Sequence, residues 1–224
     1  MTRVGPLQWR SGGGWLVLGG GGNWRRGELG EMDGRALALA DFSLPVAYLP
    51  TANGSIFEGE ELLDYYADLG GPQGYVVPIL SPSNARDPEN VRLLSEAGLI
   101  YIGDGDALHL AQVLWESPAL DGLARAFEIG AVIVGAGAGA AALGAWVLGE
   151  TVGAAGGPGL GWVEQIVVVP YFAGTEGAPV LQAALRAYPG LNGVGIPAGF
   201  ALALGPEAQL ETWGDGDITF VVAR

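Results

Sequence analysis

Neither cysteine nor lysine occurs in the 224 residues, and His109 is the single histidine. Without cysteine there is no disulfide, no thiolate metal site and no cysteine nucleophile. With one histidine, no multi-histidine metal site or serine–histidine pair is expected. Serine stops at Ser117, which leaves the C-terminal half of the chain without the commonest hydroxyl nucleophile. The ten basic residues are all arginine and stand against 24 acidic ones, a net charge of −14. Phosphate backbones are bound by clustered cations, so this balance excludes a nucleic-acid partner. Charge is scarce overall, at 15% of residues, whereas half the residues are hydrophobic. That composition folds into a compact core and does not stay disordered. No linker or long repeat interrupts it, so residues 1–224 are read as one domain. Residues 1–14 contain Arg3 and Arg10 and no long apolar segment, which does not fit a secretory leader.

Glycine is what the chain has in abundance, 40 residues of it, and one glycine cluster organises the reading. The uncharged run 129–149 is long enough to cross a bilayer. It begins with the β-branched block Val132, Ile133 and Val134, is interrupted by Gly135, Gly137 and Gly139, and has no cationic flank after it. A buried strand, a sharp turn and a buried small-residue helix running through Leu143, Trp146 and Leu148 account for it better than a membrane span does. The expectation is a cytoplasmic protein with no membrane segment. Strand, glycine turn and helix make up a nucleophile elbow, G-x-S-x-G. Its central position is Gly137, so the scaffold is present without the reactive atom.

Around the elbow, apolar runs and amphipathic stretches alternate. Strands are predicted at 7–10, 15–18, 45–50, 75–80 and 99–102. Helices are predicted at 30–41, 56–69, 90–96, 107–115 and 120–127, with Ser55 as N-cap and Glu58 closing a capping box. This alternation indicates a parallel sheet with helices on both faces, a three-layer αβα sandwich. After the elbow, 163–169 reads as a strand, 179–188 as a helix and 193–204 as an extended segment. Residues 209–213 and 218–222 flank Gly214-Asp215-Gly216-Asp217 and read as a hairpin. The glycine run at 19–22 lacks a following G-K-S/T and is read as a tight turn where backbone passes close to a pocket. Trp15, Trp146 and Trp162 are expected in the core, and Trp9, Trp24 and Trp213 at an open rim or subunit contact. A homodimer suits so hydrophobic a chain.

Four segments together resemble the dipeptidase E and cyanophycinase family, serine peptidases on the class I glutamine-amidotransferase-like (flavodoxin-like) fold. They are Tyr48-Leu49-Pro50-Thr51-Ala52, Ile100-Tyr101-Ile102-Gly103-Asp104-Gly105-Asp106 with Leu110, Gly135-Ala136-Gly137-Ala138-Gly139-Ala140, and Gly159-Leu160-Gly161 with 167–172. The resemblance places the family's serine at Gly137, its histidine at Tyr171 to within one residue, and its acidic residue at Pro197 or Ala198. None of these can act in the family's role, which implies a catalytically inactive homologue retained for ligand binding or protein association. The oxyanion-hole donors implied are the backbone amides of Gly105 and Ala138, which survive any side-chain loss and suit a small peptide or carboxylate ligand. Asp104 stands where the family has glycine and brings a negative charge that disfavours an anion.

Two further readings stay open. An active peptidase needs an unrecognised nucleophile, with Thr151 or Ser117 the candidates. An enzyme of another class uses Asp104, Asp106 and His109, provided that their side chains converge on one pocket. A helical histidine exposed to solvent, and a turn in which the two aspartates serve the backbone, are the simpler readings of those residues. Two aspartates fall well short of a Ca²⁺ coordination shell, and no metal or other cofactor is expected. As an acid or base, Tyr171 is poorly matched to neutral pH, because an ordinary phenol titrates near pH 10.

Overall fold

The computed structural model describes residues 1–149, 156–174 and 178–222. Its centre is a seven-stranded sheet in the order Leu210–Trp213, Ala201–Leu204, Trp15–Gly19, Val132–Ala136, Leu99–Ile102, Val46–Leu49, Gly74–Val76. The five strands from Trp15–Gly19 to Gly74–Val76 run parallel, and the two at the other edge are antiparallel additions. Every residue of Trp15–Gly19, Val46–Leu49, Leu99–Ile102 and Val132–Ala136 is buried. Covered on both faces, these strands read as continuous apolar runs and not as alternating ones.

Successive side chains of a strand point to opposite faces, and the core divides accordingly. On one face Val17, Tyr48, Tyr101 and Val134 pack with Met32 and Ala36 of α1 (Gly30–Leu39) and Leu62 and Tyr66 of α2 (Ile56–Asp68). On the other, Leu16, Leu18, Ile100, Ile102 and Ile133 meet α3 (Pro88–Ser95), α4 (Ala107–Leu114), α5 (Pro118–Glu128) and α6 (Ala138–Leu143). This is the three-layer sandwich that the alternating pattern implies. A smaller sheet of Ile166–Val169, Asn192–Gly195 and Thr219–Val221 packs on α7 (Ala178–Ala187) through Val167, Phe172, Leu181 and Leu185. No helix among the described residues is long and apolar enough to cross a membrane.

Several local expectations need correction, each because pairing partners outrank local pattern. The helix after the elbow stops at Leu143, and Trp146–Val147 turns into a strand paired with Gly157–Pro158. The run 163–169 breaks at Gln165, whose φ is 55°, and its halves join different sheets. Gly214 to Asp217 is no hairpin turn: Leu210–Trp213 pairs with Ala201–Leu204, and Thr219–Val221 pairs with Asn192–Gly195. Trp9 and Trp213 are each 1% exposed and belong to the core; Trp24 is half-buried. The Ser55 Oγ does accept the Glu58 N–H at 3.1 Å. The reciprocal half of the capping box falls to Asn53, whose Oδ1 takes the Ser55 N–H while its amide holds the Glu58 carboxylate.

One buried acid links the two helices of the first face. Asp33 of α1 is fully buried and accepts the Tyr66 hydroxyl of α2 at 2.8 Å. Burial pushes its carboxyl up to about 7, with the Tyr66 and Tyr65 hydroxyls pulling the other way. Between the unfolded value of 3.8 and about 7 the folded chain keeps a proton that the unfolded chain releases, so this group's contribution falls as pH rises through that window. A shift of that size corresponds to an effect on the order of 4 kcal/mol. The unfolding free energy of the wild type, measured in urea, should therefore drop by about 2–4 kcal/mol relative to Asp33→Asn between pH 4.5 and 8. A difference between the two proteins that stays constant with pH would contradict this.

Candidate functional site

The strand Val132–Ala136 leads into Gly137, whose backbone sits at φ 54°, ψ −113° before α6 begins at Ala138. That is the strained strand-to-helix turn of a nucleophile elbow. The Gly137 N–H donates to the Gly19 carbonyl at 3.1 Å, which fixes the turn to the end of the adjacent strand. On the other side, Ile102 is in register with Gly135, so the loop beginning at Gly103 runs beside the elbow.

Asp104 in that loop reaches into the elbow. Its Oδ1 accepts the Ala138 N–H at 2.7 Å and the Gly105 N–H at 2.8 Å. These are the two amides inferred for the oxyanion hole, and both donate to the same carboxylate oxygen of the chain itself. A β-carbon built on Gly137 would overlap Cγ and both oxygens of that carboxylate. The carboxylate therefore occupies the room that a side chain at the elbow would need. It also supplies the acceptor and negative charge that the N-terminus of α6 lacks, since Gly137 has no side chain with which to cap it.

The remaining oxygen, Oδ2, accepts the Tyr171 hydroxyl in a short hydrogen bond. Tyr171 is held by its own N–H on the Gly20 carbonyl at 2.7 Å, with φ at 51°, outside the ordinary range for a side-chain-bearing residue. Its ring lies where a β-carbon on Gly21 would have to go, so that glycine leaves the room the ring occupies. Burial first, then the bond to Asp104 and the Asp104 charge, push the phenol up to about 12, against the Gly22 N–H that pulls it down. At neutral pH Tyr171 is a hydrogen-bond donor and not a base.

The other residues singled out from sequence lie further off. Ala198, at the position of the family's acid, is exposed on a turn and offers no polar side chain. Asp106 lines the same groove as Asp104 and caps α4, its Oδ1 taking the His109 N–H at 2.9 Å. His109 is exposed and does not line that groove, so the structure does not bring the three side chains together. Ser117 is buried as the N-cap of α5, its Oγ donating to the Leu114 carbonyl and accepting the Leu120 N–H. Thr151 lies outside the described residues. No group of three or more acidic or histidine side chains suited to a metal occurs among the described residues.

The groove has a volume of about 440 Å³, and Leu108, Val147 and Val168 line it together with Asp104, Asp106 and Tyr171. The filling of the hole by Asp104 was the feature missed from sequence. A signal for it exists: the departure from serine at 137 removes volume where the departure from glycine at 104 adds it.

The sequence model of peptidase family S51 matches residues 15–209. Among curated proteins, the chain is 28% identical over 189 residues to a cyanophycinase of Synechococcus elongatus, covering 78% of this chain and 56% of that one. It is 23% identical over 186 residues to a cyanophycinase of Geminocystis herdmanii, covering 79% and 68%. The chain thus spans little more than half the length of the Synechococcus protein. Among solved structures, a peptidase from an acI-B1 actinobacterium superposes with a TM-score of 0.74 at 24% identity, over 94% of this chain and 92% of that one, which shows the shared fold.

The complementary volumes at 104 and 137 predict a coupled pair. Gly137→Ser should destabilise the chain by about 2–3 kcal/mol through overlap with the carboxylate and the strained backbone. The same change made on Asp104→Gly should cost at least about 1 kcal/mol less. Denaturant unfolding of the four proteins gives the coupling directly, and strictly additive costs would show that the two side chains do not compete for one space.

Proposed function

The chain belongs to peptidase family S51, and on that premise we propose that it is a non-hydrolytic member, retained for ligand binding or protein association. One observation carries the reading. The Asp104 carboxylate lies on the Gly105 and Ala138 amides, in the space required by a side chain at 137.

Acyl transfer by a serine-type enzyme requires a nucleophile, a base that takes its proton and a group that orients the base. It also requires hydrogen-bond donors free to receive the charge that develops on the carbonyl oxygen. Gly137 has no nucleophilic atom, and Ala198 has nothing with which to orient a base. Tyr171, raised to about 12 by burial and by Asp104, keeps its proton at neutral pH. A substrate carbonyl that reached the elbow would meet a carboxylate and not free amides, so the site opposes the transition state that the family's serine enzymes stabilise. The same contacts suit the site to a different use, with a charged carboxylate in the wall of a largely apolar groove.

The test is incubation of the purified chain with a serine-directed fluorophosphonate and with a panel of short peptides. No covalent adduct by mass spectrometry and no cleavage above a buffer blank are expected. An adduct on any residue, or turnover that disappears when the labelled residue is replaced, would contradict the proposal.

A further inference from the structure

Resting on the non-hydrolytic reading, we propose that the groove beside Asp104 and Asp106 binds a small aliphatic ammonium ion. The ammonium would sit at the carboxylates, and its hydrocarbon body would lie along Leu108, Val147 and Val168. At about 440 Å³ the groove is within the size range of small-ligand pockets, and its described lining is mostly apolar, with Asp104, Asp106 and Tyr171 as its polar side chains.

The chemistry of those polar groups selects the sign of the ligand. Both amides that could receive an anion or a carbonyl oxygen already donate to Asp104 Oδ1, and the Tyr171 hydroxyl donates to Oδ2. What remains to offer is acceptor capacity. Each carboxylate oxygen has two lone-pair directions, and Asp106, exposed at the groove, has one oxygen engaged by the His109 N–H. Neither aspartate takes part in an ion pair among the described residues, whose six ion pairs lie elsewhere. Two negative charges in the lining, with their local donors committed and no arginine among the described lining residues, repel an anion and are left without a compensating cation.

A metal ion fits less well than an organic one. Hard cations want six or more oxygen ligands, and no cluster of three suitable side chains occurs among the described residues. An ammonium has three donors on a compact charge, and its alkyl chain is matched by the apolar wall.

The experiment is an amide NMR titration of the full chain with butylammonium, butyrate and butanol, which share a hydrocarbon body and differ in charge. Butylammonium should shift the amides of Leu108, Val147 and Val168 saturably, while butyrate and butanol leave them in place. Asp106→Asn keeps an N-cap acceptor for α4 and removes only the charge. It should weaken butylammonium about fivefold, the size of a partly exposed charge pair, while lowering the melting temperature by no more than about 4 °C. Butyrate binding as well as butylammonium, no saturable shift with the amine, or an affinity unaltered in Asp106→Asn would each overturn the inference. A lysine-containing tripeptide that bound more tightly than butylammonium would overturn the assignment to a small free amine. None of these outcomes bears on hydrolysis, which covalent labelling tests separately.

Discussion

One carboxylate oxygen receiving two backbone N–H groups from different loops is the contact on which the site depends. Asp104 Oδ1 bridges Gly105, at the end of one parallel strand's loop, and Ala138, at the start of α6. Backbone donors at such a turn have to be satisfied by something, because buried N–H groups without partners are costly. In a hydrolase of this architecture solvent or substrate meets that need between and during turnovers. Here a side chain of the protein meets it, and Gly137 and Tyr171 are arranged around that carboxylate.

Gly137 is compatible with Asp104 only because it has no β-carbon. Tyr171 is compatible with it because a phenol raised to about 12 remains a donor to the second oxygen. Gly21 is in turn needed to seat the Tyr171 ring. Gly21, Asp104 and Gly137 lie far apart in sequence and come together at the carboxyl ends of three adjacent parallel strands, where open α/β sheets place their sites, and Tyr171 reaches them from the end of Ile166–Val169 in the smaller sheet. What looks from sequence like three separate losses at 137, 171 and 198 is, at the first two, a replacement. A carboxylate–amide–phenol network stands where a serine and a base are expected.

Much of this architecture could be read from the chain because it is encoded locally. Leu99–Ile102 and the strand before the elbow are short apolar blocks ended by glycine, and Ser55, Asp87, Asp106 and Ser117 mark helix starts through side-chain caps. The family could be read from the order of four weak motifs. What failed was whatever depends on a distant partner. Gly214-Asp215-Gly216-Asp217 has the composition of a hairpin turn, yet the strands on either side find better partners in two different sheets. Trp9 and Trp213 sit in short terminal strands that reveal nothing about their burial until the sheets are assembled. Asp104 was visible as an unwelcome charge near the hole, but its contact with Ala138, 34 residues away, was not.

Asp104, and nothing from outside the chain, occupies the Gly105 and Ala138 amides. Atomic-resolution crystallography of the wild-type protein, with the density around Ala138 examined before any ligand is placed, tests it most directly. A carboxylate oxygen of Asp104 is expected at 2.7 Å from the Ala138 nitrogen and 2.8 Å from that of Gly105. An Asp104 side chain turned out to solvent, with a water molecule or a bound anion on those two amides, would contradict it.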